Sequence, residues 1–218
     1  MILHIEQKEL RDLNYPIYLC TSFAPLIFQP LLQDLMSLFC QLTIAATQPT
    51  EKMLSNIRVQ WWIDCIRVQK GQNSPLLDRI IAHIHDNRLN KEKLLFILEI
   101  FHSATFEDST EELLETSWSA VFDYYCCLSG NQANDSTGLL GSLVSYIIYK
   151  PIKLEQLLNN RKMRARIDII NSIETQDGFI KSCAHLLYLS KNKKLHNYTL
   201  LPMRLFFHIL FKRKQNFN

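Results

Sequence analysis

A chain of 218 residues with 47% apolar and 21% charged side chains carries enough apolar surface to offset the ordering of its backbone, which excludes wholesale disorder. Its formal charge of +3, without a clustered phosphate-binding face, does not indicate nucleic acid as a partner. With 5 Gly, 7 Pro and no Asn-Gly or Asp-Gly signal between alternating apolar runs, helix is favoured over sheet.

A short amphipathic opening is expected around Ile5 to Leu13. Pro25 and Pro30 then introduce a helix with Leu31, Leu35, Leu38 and Leu42 at helical spacing. Thr50 is the expected cap of the next helix, which carries Met53, Ile57, Trp61, Cys65 and Val68 on one side and stops near Gly71. Ser74-Pro75 opens a third, whose buried stripe is Leu76, Leu77, Ile80, Ile81 and Ile84. Asn90 caps a helix through Leu94, Leu95 and Leu98. Ser109 and Glu112 have the spacing of a capping box ahead of Leu114, Trp118, Val121, Phe122 and Tyr125, and Gly130 ends that element. After a polar connection to Gly138, Leu139 to Tyr149 reads as a buried helix stopped by Pro151. A basic segment follows, Asp177 caps a helix through Leu186 and Leu189, and the last helix is Leu200 to Lys212. No repeat and no low-complexity tract interrupts the pattern, so one helical-bundle domain over 1–218 is the expected organisation.

Chemistry-bearing groups are sparse. The cysteines at 20, 40, 65, 126, 127 and 183 lack the CxxC spacing of zinc or redox sites and read as small core residues of a reducing compartment, cytosolic or matrix-like. The first residues lack a basic region followed by an apolar one, and no run approaches the roughly 18 apolar residues of a membrane span. Glu111 and Glu115 are the one tempting metal pair, but acidic groups at a helix start are favoured by its dipole alone. His83 and His85 are two apart and cannot share a helical face. No nucleophile elbow, active-site cysteine signature or phosphate loop is present, which argues against a hydrolase or nucleotide-binding protein.

Two segments stand out: Ile57-Arg-Val-Gln-Trp-Trp-Ile-Asp64 inside a helix, and Asn197-Tyr-Thr-Leu-Leu-Pro202 before the last one. The first resembles the IRxQWWxD signature of the squalene/phytoene synthase superfamily, and Phe23-Ala-Pro25 with its long following helix is similar to the FAP segment of that group. Thr199-Leu-Leu-Pro202 before Arg204-Leu-Phe-Phe-His-Ile-Leu210 resembles the non-carotenogenic branch, which includes the phytoene-synthase-like assembly factor of mitochondrial complex I and its alphaproteobacterial counterparts. The resemblance implies an all-α bundle of the isoprenoid-synthase type, here shortened and degenerate, around a central cavity that in active members holds isoprenoid diphosphates and Mg²⁺.

Magnesium binds diphosphate through carboxylate oxygens and retained waters, so active members place Asp residues at i, i+4 on facing helices. Setting Phe39-Cys40-Gln41 against the first of those helices puts Ile44, Ala45 and Gln48 where acidic residues are expected, and no second Asp-rich motif follows Gly141. The resemblance therefore implies no catalytic residues, no metal ligands and no cofactor. The expected role is binding or assembly, with complex I subunits or assembly intermediates as partners. Mg²⁺ enters only in the alternative, a prenyl transferase with relocated ligands that condenses isoprenoid diphosphates. A decaying gene product is the third reading.

Arg58, Gln60, Trp61 and Asp64 are the candidates for lining the cavity. The competing reading is structural, an ion-pair network around two tryptophans of which only one is fully central, because adjacent helical residues point about 100° apart. Arg161, Arg164, Arg166, Arg204, Lys212 and Arg213 are the candidates for facing a partner or an anionic membrane, with Leu205, Phe206, Ile209 and Leu210 supplying an apolar face. Their competing reading is a solvated basic face. The expected location is cytoplasmic, and the resemblance implies a peripheral position on the inner membrane of a bacterium, or on the matrix side in a eukaryote, if the basic set does face a membrane.

Overall fold

The structure is a computed structural model that describes residues 10–49, 51–105, 110–149, 170 and 177–191. The caps expected at Thr50 and Ser109, the stop at Pro151, the basic segment 161–166 and the last helix at 200–212 lie outside the described residues. Every described element is an α-helix: α1 (Leu10–Leu13), α2 (Tyr15–Thr21), α3 (Gln29–Thr47), α4 (Lys52–Val68), α5 (Pro75–His85), α6 (Lys91–Ser103), α7 (Thr110–Ser129), α8 (Asp135–Tyr149) and α9 (Gly178–Lys191).

Local chemistry sets several of the described termini. The Ser74 hydroxyl accepts from the Leu77 N–H at 3.2 Å with Pro75 in the first helical position, and Asn90 Oδ1 accepts from Lys93 N at 2.9 Å. Asp177 Oδ1 takes the N–H groups of Phe179 at 2.9 Å and Ile180 at 3.0 Å, opening α9 as expected. Gly130 leaves α7 in the left-handed region, at φ 74°. At the end of α4 the structure differs from the expectation: Gln69, not Gly71, takes the left-handed cap, at φ 55°. Helix α2 is not anticipated from periodicity. Its local signal is Asn14, whose side chain accepts from Ile17 N at 3.1 Å, together with Pro16 in its first turn. Helix α8 starts at Asp135, before Leu139, because Asn134 Oδ1 caps the Thr137 N–H at 3.0 Å.

The buried apolar side chains from α1 to α9 join in one contiguous cluster. Helix α3 is its hub, packed against α1, α2, α4, α5, α6, α7 and α8 and buried almost all round. Phe39 of α3 stacks on Phe101 of α6 with ring centroids 5.8 Å apart, and Trp118 of α7 stands edge-on to both at 6.3 and 6.5 Å. The Trp118 Nε1–H donates to Thr43 Oγ1 at 3.0 Å, so the indole is buried with its polar atom satisfied. Phe179 ties α9 to α7 through Phe122 and Tyr125, at 5.5 and 4.9 Å. Gly141 lets α8 lie directly on α7: a Cβ there would stand 2.3 Å from the Trp118 carbonyl oxygen.

The expected face of α4 is rotated. Ser55, Val59, Trp62, Ile63 and Ile66 turn inward, whereas Met53, Ile57 and Val68 are exposed. Both faces of this helix carry apolar residues, and packing selects the one with Trp62. Cys65, flanking the buried stripe, is buried as expected, and burial pushes its thiol up to about 11. Cys20, Cys40, Cys126 and Cys183 are also buried, while Cys127 projects into solvent beside its buried neighbour.

Candidate functional site

The polar residues singled out on α4 form a surface strip. Gln60 Nε2 donates to Asp64 Oδ1 at 2.7 Å, and Arg67 lies 3.5 Å from Asp64 and 3.6 Å from Glu99 of α6. More than half of each of the Arg67, Asp64 and Glu99 side chains is exposed, so these pairs contribute only tenths of a kcal/mol, up to about 1 kcal/mol each. Trp61 is half-buried, stands edge-on to Trp62 at 5.1 Å and donates its Nε1–H to Gln72 Oε1 at 2.9 Å. Trp62 is the buried member of the pair. Arg58 is half-buried, and its Nε atom is buried without a hydrogen-bond partner among the described residues. Glu115 accepts the Tyr146 hydroxyl of α8, and His83 and His85 point to different partners, as their spacing requires.

A second polar arrangement lies where α1, α3 and α5 meet. A cleft of about 500 Å³ is lined by Arg11, Tyr18, Gln33, Asp34, Ser37 and Arg79, with Leu10, Pro30, Pro75 and Leu76 as apolar walls. Asp34 is the one acidic residue of α3 and is buried. Its Oδ1 accepts from Arg79 Nε at 2.7 Å and its Oδ2 lies 3.1 Å from His83 Nε2. Behind the imidazole, Arg88 Nη1 stands 3.4 Å from His83 Nδ1. A guanidinium only donates, so Nδ1 is the acceptor and the ring proton sits on Nε2, aimed at Asp34.

The buried carboxylate is thus held from two sides, which is what a charge in an apolar interior requires. Arg79 commits only Nε to Asp34, and its side chain is 48% exposed. Arg11 is exposed on the cleft rim. Periodicity does not single out Arg11, Asp34, Arg79 or His83. The one signal for them is a lone carboxylate inside the apolar run of α3.

Among the described residues no group of three or more His, Cys, Asp or Glu side chains converges as a metal site, and no helix is long and apolar enough to cross a membrane. Farther along α3, Ile44 is half-buried and Ala45 is buried, while Gln48, just past the end of the helix, is exposed. Fold and site together define an all-α protein with a polar cleft anchored by one buried carboxylate. No protein-family model, curated protein or solved structure matches the chain at a significant level.

Proposed function

We propose that the chain is a non-catalytic, squalene/phytoene synthase-like binding protein that acts in the assembly of respiratory complex I at the membrane periphery. The observation that supports the non-catalytic part most directly is that α3 carries a single carboxylate. The resemblance would put magnesium ligands at Ile44, Ala45 and Gln48, none of which offers a carboxylate. The only carboxylate on that helix, Asp34, already has both oxygens engaged by Arg79 and His83. These residues do not fit a magnesium–diphosphate centre. Two diphosphates brought face to face there would lack counter-charge. The aromatic layer of Phe39, Phe101 and Trp118 fills the space beside α3 with side chains that present no ligand to a metal.

The complex I assignment rests on the resemblance of the Trp-Trp helix and of the Thr199 to Pro202 segment to the assembly-factor branch. The decisive assay for the first part is diphosphate release from farnesyl diphosphate with Mg²⁺ present and a folded sample. Release at the background rate is expected, and protein-dependent turnover would overturn the binding-protein reading. For the second part, depletion of the protein from its native cells is expected to lower assembled complex I while leaving other respiratory complexes intact.

A further inference from the structure

The connection between α2 and α3 holds two adjacent aliphatic side chains in water: Leu26 is 83% exposed and Ile27 73%. Single exposed aliphatics are ordinary, but a consecutive pair on a pinned tip is not. Gln29 Nε2 donates to the carbonyls of Ser22 and Ala24, each at 2.9 Å, and Arg88 Nη2 reaches across from the end of α5 to the Ile27 carbonyl at 3.0 Å. The same Arg88 contacts His83, which contacts Asp34, which accepts from Arg79 in the cleft. Tip and cleft are the two ends of one polar relay. Ile27 and the cleft residue Pro30 are three positions apart, at most about 11 Å of chain.

We infer that this end of the molecule docks on an anionic phospholipid surface, Leu26 and Ile27 entering the boundary between headgroups and acyl chains while Arg11 and Arg79 take a lipid phosphate. The charge pattern fits that occupant. Asp34 is neutralised by Arg79 and covered by His83, so Arg11 leaves the cleft with one net positive charge. Arg79 commits Nε to Asp34, and among the described residues its Nη pair has no hydrogen-bond partner, which leaves a fork for phosphate oxygens. Leu10, Pro30, Pro75 and Leu76 offer walls for the glycerol end of a lipid. Rigid presentation of the tip means that little further ordering is needed at the surface. The inference deepens the peripheral placement proposed above by naming the element that touches the membrane.

The test is co-sedimentation of the full chain with vesicles of phosphatidylcholine alone and of phosphatidylcholine mixed equally with phosphatidylglycerol, at low and raised salt. Binding to the anionic vesicles, weakened by salt, is expected. Substituting Leu26→Ser and Ile27→Ser together should lower partitioning about tenfold or more without changing the melting temperature, because both side chains already sit in water. Arg11→Gln should lower it about fivefold on anionic vesicles only. Arg79→Lys keeps a charge beside Asp34 but loses the fork, and should weaken binding as well. Wild-type protein that ignores anionic vesicles, or tip and Arg11 variants that bind as tightly as wild type, would overturn the proposal. Equal binding to uncharged vesicles would overturn its phosphate half. The assembly role survives such failures, whereas turnover of farnesyl diphosphate would sink that role and leave this one standing.

Discussion

Replacing Asp34 by Ala removes the acceptor on which the relay from α3 to α5 turns. Two bonds are lost together, from Arg79 Nε at 2.7 Å and His83 Nε2 at 3.1 Å. Hydrogen bonds to charged groups contribute about 1.5–3 kcal/mol each, and a buried donor left without a partner costs about 1–3 kcal/mol. The Arg79 side chain is 48% exposed, so water replaces its acceptor and its share falls to roughly 0.2–1 kcal/mol. His83, with a side chain only 11% exposed, has no such replacement and its loss counts nearly in full. The sum is about 2–4 kcal/mol of lost stability. Urea unfolding of wild type, Asp34→Ala, His83→Ala and the double variant reads it as a shift in midpoint at constant slope. The cycle should show a coupling of about 1–2 kcal/mol between the two residues. A loss below about 0.5 kcal/mol for Asp34→Ala, with additive single effects, would refute the claim that this carboxylate anchors the cleft.

Gly141→Ala should cost about 1–3 kcal/mol in thermal or urea unfolding, because its Cβ meets the Trp118 backbone at 2.3 and 2.9 Å and α7 and α8 must part; an unchanged near-ultraviolet dichroism would contradict this. Asp177→Ala strips the cap from Phe179 and Ile180 and the acceptor from the Tyr125 hydroxyl at 2.7 Å, for a loss of about 2–4 kcal/mol, whereas Asp177→Asn, which keeps an acceptor at the cap, should lose less. Asp123 is held above the usual carboxylate range, first by burial and then by the charge of Asp135, with the Thr137 hydrogen bond opposing. Its folded form therefore binds the proton more tightly than the unfolded chain, and its contribution to stability falls as pH rises through the raised value. Asp123→Asn should accordingly be more stable than wild type at neutral pH, with the advantage fading as pH drops into the ordinary carboxylate range. An advantage independent of pH would show that charge is not its origin.

Features decided within a few residues are legible in the sequence. Ser74, Asn90 and Asp177 announce helix starts because each cap bonds an amide two or three positions on. The buried stripes of α3, α5 and α7 follow their leucine, isoleucine and aromatic spacing. The phase of α4 was not readable: Met53, Ile57 and Val68 form as regular an apolar row as Val59, Trp62 and Ile66, and only tertiary packing chooses between them. Of the four cavity candidates, Gln60 and Asp64 do pair as their i, i+4 spacing suggests, but they do so on the surface. The cleft depends on partners 45 and 49 residues apart in the chain, a separation over which no periodicity carries information.

The connections between helices also matter. Gln69, Gln72, Asn73 and Asn87 all adopt positive φ in a chain with only 5 glycines. An L-residue in that region gives up roughly 1–2 kcal/mol relative to its right-handed form, somewhat less for Asn, whose side chain bonds locally. The turns therefore store strain, and relieving it would recover part of that free energy. Gln72 accepts from Trp61 and Gln69 meets His85 through their side chains, so glycine at 73 or 87 is the less invasive way to recover it.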